Sequence, residues 1–176
     1  LGSVTQILTC GTEINITPTV LTLPVENALE FESHEGMLVT IPQELILSEY
    51  YNFGRYGEIK ATNNRFMQFT AVYEPDVDGY SNWVNNYFLN SITLDDGRTG
   101  QNPDPAYHPN GEVFTLDNLF RGGDTISNIT GVFDHSYDLY RIQPRLELDY
   151  FGATATYTSV NTRPEDPGII EGDLKV

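Results

Sequence analysis

Five arginines, Arg55, Arg98, Arg121, Arg141 and Arg145, each stand beside a turn or an aromatic residue, in the contexts YNFGRYGE, DDGRTG, LFRGGD and YRIQPR. A guanidinium is planar and permanently charged, with donors set in a fork. It can therefore clamp a phosphate or carboxylate bidentately and stack on a ring. Lysine is nearly missing. Tyr51, Phe53 and Tyr56 flank Arg55, and such a group suits a stacking platform for single-stranded nucleic acid, each stacked base worth ~1–3 kcal/mol. Arg98, Arg121 and Arg141 complete the candidate nucleic-acid-binding set. The competing reading pairs these arginines with neighbouring carboxylates that hold loops down, and the net charge of −16 favours it.

Carboxylates form the second cluster. Asp95, Asp96 and Asp104 bracket the start of RTGQNPDP, and Glu74, Asp76 and Asp78 lie in EPDVD. Oxygen-rich loops hold calcium, which makes Asp95, Asp96 and Asp104 candidate Ca2+ ligands. Neither stretch has EF-hand spacing, so solvated turns are the plainer expectation. His34, His108 and His135 share no metal-ligand spacing, and HExxH, Gly-x-Ser-x-Gly and phosphate-binding glycine loops are missing from the sequence. Surface or loop roles are expected for all three histidines, and no catalytic residue is assigned. Cys10 is the single cysteine: either a buried small hydrophobe or one half of a pair whose partner lies upstream.

The bulk numbers bound the rest. A chain of 176 residues with 39% hydrophobic and 12% aromatic side chains builds one domain and excludes wholesale disorder. No run approaches the ~20 apolar residues of a membrane span. The opening LGSVTQILTC has neither the basic start nor the apolar stretch of a signal peptide, and without Met it reads as a piece excised from a longer protein. Twenty-five acidic against nine basic residues repel polyanions at long range. With a Debye length of ~8 Å, a local arginine cluster can still bind phosphate. A monomer is expected.

Strands must position these groups. Residues 125–145 read as a long coiled hairpin, with Gly131 marking a bulge or sharp coil and residues 134–138 forming the turn. Residues 2–9 have loose strand alternation, and Pro18 and Pro24 limit residues 14–25 to an edge or linker. Residues 26–32 suit one or two helical turns. The near-continuous apolar stretch EGMLVTIPQELILSEYY is bent at Pro42, as where one long strand serves two faces of a barrel. Residues 52–57 form a turn-rich loop. GEIKAT, RFMQFTAVY, SITLDDG, EVFTL and LELDYFGATATYTSV are further strand candidates. Residues 76–90 form the one convincing helix, capped by Asp76 or Asp78. Its stripe of Tyr80, Trp83, Val84, Tyr87 and Phe88 is expected to be core and to plug one end of the sheet. Residues 98–111 are a polar loop without periodicity. The expected fold is all-β and mainly antiparallel, an OB-like barrel with one capping helix and long loops. A β-sandwich is the competitor.

Three blocks carry a resemblance: ESHEGMLVTIPQELILSEYYNFGRYGEI, SITLDDGRTGQNPDPAYHPNG and FRGGDTISNITGVFDHSYDLYRIQP. Together they resemble consecutive segments of large extracellular endonucleases of the ExeM/NucH type, over roughly residues 20–144 and on into the tail. The resemblance implies the OB-like region just before a C-terminal endonuclease/exonuclease/phosphatase domain, whose first strand residues 172–176 resemble. It implies residues 1–25 as the end of a preceding module, 26–160 as the OB-like domain and 161–176 as a linker. The parent would be a secreted bacterial nuclease whose Mg2+ belongs to the catalytic domain beyond this chain. This segment's partners would be the neighbouring domains of the same polypeptide and, through the arginine loops, DNA.

Overall fold

The computed structural model describes residues 16–144, 146–147, 150–151 and 155–166. In chain order the elements are β1 (Thr19–Val20), α1 (Ala28–Glu32), β2 (Leu38–Ile41), β3 (Leu45–Glu49), α2 (Phe53–Tyr56) and β4 (Ile59–Thr62). There follow α3 (Phe69–Val72), α4 (Val77–Leu89), β5 (Ser91–Leu94), β6 (Thr125–Ser127), β7 (Ile129–Ser136) and β8 (Leu139–Gln143). The short strands β9 (Leu146–Glu147), β10 (Tyr150–Phe151) and β11 (Thr156–Thr158) end the series. Residues 2–9, Cys10, Arg145 and the end of the tail lie outside the described residues.

One bent ladder organises the sheet. β2 pairs antiparallel with β7, from Leu38↔Val132 to Ile41↔Ile129, and β3 continues along β6 at Leu45↔Ile126 and Ile46↔Thr125. Both chains turn the corner together. Pro42 has no N–H to give the ladder, and opposite it Asn128 takes a positive φ of 52°. From its other edge β3 pairs with β4, β4 with β5, β5 in parallel with β8, and β8 antiparallel with β7. The pairings therefore return to the ladder they left, and the mixed sheet curls into a barrel-like form. β1 adds a parallel edge beside β2, and β11 an antiparallel one beside β6.

Alternation sends one side chain in two inward. Val39 and Ile41, Leu45 and Leu47, and Ile129 and Phe133 are buried to 1% exposure or less, with Ile92, Ile126 and Ile142 between them. Phe31 of α1 closes one end, with ring centroids 5.9 Å from Phe133 and 4.9 Å from Tyr140. Asn27 caps α1 by accepting from the Leu29 N–H at 3.0 Å.

Several sequence expectations change. Gly131 sits in register opposite Val39 rather than at a bulge, and is needed because β8 crosses closely: a Cβ there would collide with the Gln143 carbonyl oxygen. The hairpin turn is only Tyr137-Asp138, since β7 runs on through Ser136. RFMQFTAVY is not a strand. Phe69 and Tyr73 are spaced for a helix and their rings meet at 5.3 Å across α3. Residues 52–57 contain α2, EVFTL contributes one bridge (Tyr107↔Val113), and LELDYFGATATYTSV divides into β9, β10 and β11.

The largest correction concerns α4. Asp76 caps it as expected, accepting from the Gly79 N–H at 2.6 Å, but none of its residues is buried. Tyr80, Trp83 and Tyr87 stack in a row, 6.2 and 5.5 Å apart, with Phe66 edge-on to the last two. Tyr80 is 53% exposed. Only the last turn, through Phe88 and Leu89, reaches the core. The stripe packs against the segment leading into α3 and forms a satellite cluster, so α4 lies beside the sheet rather than plugging it.

Gly131→Ala tests the close crossing. The variant is expected to lose about 1–3 kcal/mol, because β7 and β8 must separate to admit the methyl group. Urea unfolding read by tryptophan fluorescence and circular dichroism checks this, and unchanged stability would contradict the crossing.

Candidate functional site

The chemistry-bearing side chains gather where three loops meet above the end of the sheet. They are the α2 segment before β4, the turn after β5, and the Tyr137-Asp138 turn between β7 and β8. Arg141, on β8, lies beneath all three at 2% exposure. Its Nη1 donates to Glu58 Oε1 at 2.9 Å and to Asp95 Oδ2, and its Nη2 donates to the Ser136 carbonyl at 2.8 Å. Its Nε is buried without a hydrogen-bond partner. Burial acts to lower the Arg141 pKa, but Asp95 and Glu58 outweigh it and hold the guanidinium charged.

The turn after β5 is built by its own carboxylates. Asp95 Oδ1 accepts from the Gly97 N–H at 2.7 Å, in an Asx turn. Asp96, buried, accepts from Arg98 through the backbone N–H at 2.9 Å and Nε at 2.8 Å, and its Oδ2 forms an ion pair with Arg98 Nη2 at 2.7 Å. Arg98 also donates to the Pro105 carbonyl at 2.9 Å and lies 5.1 Å from the Tyr107 ring. The Asp96 side chain packs where a Cβ on Gly57 would stand, and Gly57 ends α2 at a φ of 71°. Position 57 therefore requires glycine for both space and conformation.

A cavity of about 570 Å³ opens among these loops, within the ~300–1,000 Å³ typical of small-molecule sites. Of the sequence-predicted residues, Tyr56, Asp95, Arg98 and Arg141 line it. Arg55 stands at its rim, donating from Nε and Nη2 to Gln101 Oε1 at 3.2 and 3.1 Å. Tyr51 points into solvent at 90% exposure. Phe53 is not a stacking platform: it is buried, with rings edge-on to Phe114 and Phe120 at 4.9 and 4.8 Å. Arg121 belongs to a separate turn, and Asp104 is exposed beside a cis peptide to Pro105. Asp95 and Asp96 already face guanidinium groups. Among the described residues no three His, Cys, Asp or Glu side chains gather as a metal ion would require.

Other lining residues escaped the sequence reading. Asn52, Glu58, Gln101, Ser136, Tyr137 and Gln143 sit on three walls. Glu58 meets Arg141 across 83 residues, a distance over which no local pattern speaks. Tyr137 did carry a signal. A two-residue hairpin turn with positive φ at both positions prefers Asn-Gly, and here Tyr137 (52°) and Asp138 (58°) fill it.

Two buried groups lie outside the cavity. Asp124 is fully buried and accepts from the backbone N–H groups of Arg121 (2.7 Å), Val160 and Asn161 (both 2.8 Å) and from the Tyr157 hydroxyl (2.5 Å). It ties residues 157–161 to the turn before β6. Burial would raise its pKa, but the Tyr157 and backbone hydrogen bonds win and lower it. Burial and Asp124 push the Tyr157 hydroxyl up to about 12. His108 sits in a loop, one of the two roles expected for it, but is buried at 2% exposure rather than on the surface, its ring 4.5 Å from Tyr157. Its Nδ1 accepts from the Asn110 N–H at 3.1 Å, and burial lowers its pKa against the opposing pull of Asn110 and Asp124.

These shifts set two acid transitions. His108 is lowered in the folded state, so its contribution is full above the unfolded value of about 6.5 and falls as pH drops below it. Asp124 is also lowered, so its contribution persists above about 3.9 and is lost as pH falls through its folded value. Asp124→Ala is expected to cost about 2–3 kcal/mol at pH 7 by stranding its donors. It should also flatten the stability curve below pH 4, as measured by urea titrations across pH. A variant as stable as the parent would overturn the role.

A family model described as a domain of unknown function (DUF8508) matches residues 6–155, most of the chain. No curated protein and no solved structure matches significantly. The match contains the bent ladder, α4 and every wall of the cavity. This chain belongs to the DUF8508 family.

Proposed function

We propose that this chain is a non-catalytic accessory domain of a larger secreted bacterial nuclease, of the kind its sequence resembles, and that it positions neighbouring domains. The observation that carries this reading is the fate of the arginines. Arg141 is buried between Glu58 and Asp95, and Arg98 is held by Asp96, so these two brace loops instead of facing a polyanion. The net charge of −16 works in the same direction. The row of Tyr80, Trp83 and Tyr87 on α4, with Tyr80 exposed and the other two partly so, supplies an apolar face of the sort domain contacts use.

The connectivity supports an OB-type barrel as the scaffold. β2 and β3 act as one bent first strand, followed by β4 and β5, then β6–β7 as the fourth and β8 as the fifth. A second reading, contact with single-stranded nucleic acid, has one observation in its favour: Tyr51 and Arg55 both project into solvent.

Deleting residues 26–160 from the longer polypeptide is expected to lower its secreted, folded yield, and unchanged yield and activity would overturn the positioning role. This chain alone, with magnesium and plasmid DNA, should leave the DNA intact, and nicking would overturn the non-catalytic reading. Fluorescence anisotropy at low salt distinguishes the second reading. Affinity that falls with salt and with Arg55→Ala would establish nucleic-acid contact.

A further inference from the structure

We propose that the cavity between α2, the turn after β5 and the Tyr137-Asp138 turn is a binding site for a neutral glycan. The inference goes beyond the positioning role and does not depend on it. It starts from charge. The walls carry two cations, Arg98 and Arg141, and two anions, Glu58 and Asp95, so the lining is balanced and each charge is already opposed. A phosphate or a metal ion would find its own sign as readily as the opposite one.

Hydrogen-bonding capacity selects among neutral ligands. Carboxylates only accept, and guanidinium and amide N–H groups only donate. Here the two kinds stand side by side: Glu58 and Asp95 beside Arg141, with the Arg141 Nε lacking a partner at 2% residue exposure. Gln101 Oε1 is engaged by Arg55, while its amide N–H groups, like the Tyr56 and Tyr137 hydroxyls, have no hydrogen-bond partner among the described residues. A phosphodiester only accepts and would leave the carboxylates facing its oxygens. A sugar hydroxyl donates and accepts at once, so neighbouring hydroxyls on one ring satisfy adjacent carboxylate and guanidinium groups together.

Two aromatic rings complete the arrangement. Tyr56 and Tyr137 line the cavity from different loops, and apolar C–H faces of a pyranose pack on such rings. Tyr137 is the more telling. It is 86% exposed, holds a φ of 52° where Asn or Gly fits better, and lies with its ring 5.6 Å from the Arg141 guanidinium. A large aromatic is disfavoured in that conformation, and its ring both covers the Arg141 guanidinium and borders the cavity.

The test uses the full 176-residue chain and a panel of neutral tetrasaccharides of glucose, galactose, mannose or N-acetylglucosamine, followed by NMR shift perturbation and calorimetry. An oligothymidylate serves as the nucleic-acid probe. At least one tetrasaccharide is expected to bind saturably with a Kd of about 1 mM or below, shifting resonances of residues 52–58, 97–101 and 136–143. Gln101→Ala should weaken it by about tenfold. Tyr137→Asn should weaken it similarly while keeping or raising the melting temperature, a combination that a purely structural tyrosine would not give. No saturable binding by any tetrasaccharide overturns the proposal, as does binding indifferent to both substitutions. Tighter binding of the oligothymidylate at the same residues overturns it in favour of nucleic acid.

Discussion

A guanidinium held at 2% exposure must have its charge answered where it sits, and Arg141 is answered by Glu58 and Asp95. The penalty for drying an unpaired ion is several kcal/mol, so removing either carboxylate would leave a cost that the hydrophobic core cannot absorb cheaply. The consequence is geometric. Glu58 fixes the start of β4, Asp95 the end of β5, and the Ser136 carbonyl the lip of the hairpin turn, all against one side chain on β8. Three loops distant in sequence are thus held at fixed separation, which keeps the space between them open.

Apolar burial alone would not place those loops. It sets the curl beneath them. The corner at Pro42 and Asn128 bends two paired strands at once, so that β3 carries on into β4 and β5 while β7 carries on into β8. With β5 and β8 parallel neighbours, Asp95 just beyond β5 comes alongside Arg141. The ion group lies at the parallel junction of β5 and β8, in the middle of the strand order.

How much of this the sequence disclosed follows from the range over which each signal acts. The near-continuous apolar run interrupted by Pro42 is a local signal, and the bent strand is legible from it. So are the Asp76 cap and the turn-forming composition near Tyr137. The α4 stripe was legible as a face but not as a depth. Periodicity says that Tyr80, Trp83 and Tyr87 share one side, while only the fold says that the sheet turns elsewhere. Phe69 and Tyr73 show the converse, a four-residue helix too short for its period to compete with β-rich composition. Arg141 and Arg98 were identified by type and by neighbouring turns, but the choice between phosphate and carboxylate depended on Glu58, Asp95 and Asp96, and only strand pairing could bring Glu58 to Arg141.

Strong overall acidity and a cavity lined by arginine are compatible because they act at different ranges. Beyond the Debye length of ~8 Å the excess of carboxylates is screened, and what a nearby ligand meets is the local arrangement. Locally Arg98 is neutralised by Asp96 of its own turn, and Arg141 by Glu58 and Asp95. Such pairing removes long-range attraction for polyanions but leaves donors and acceptors in place, oriented and partly dehydrated. A pocket of that kind discriminates by hydrogen-bond geometry rather than by net charge, and its selectivity should change little with salt. The same pairing that argues against a phosphate-reading surface therefore argues for recognition of uncharged polar groups.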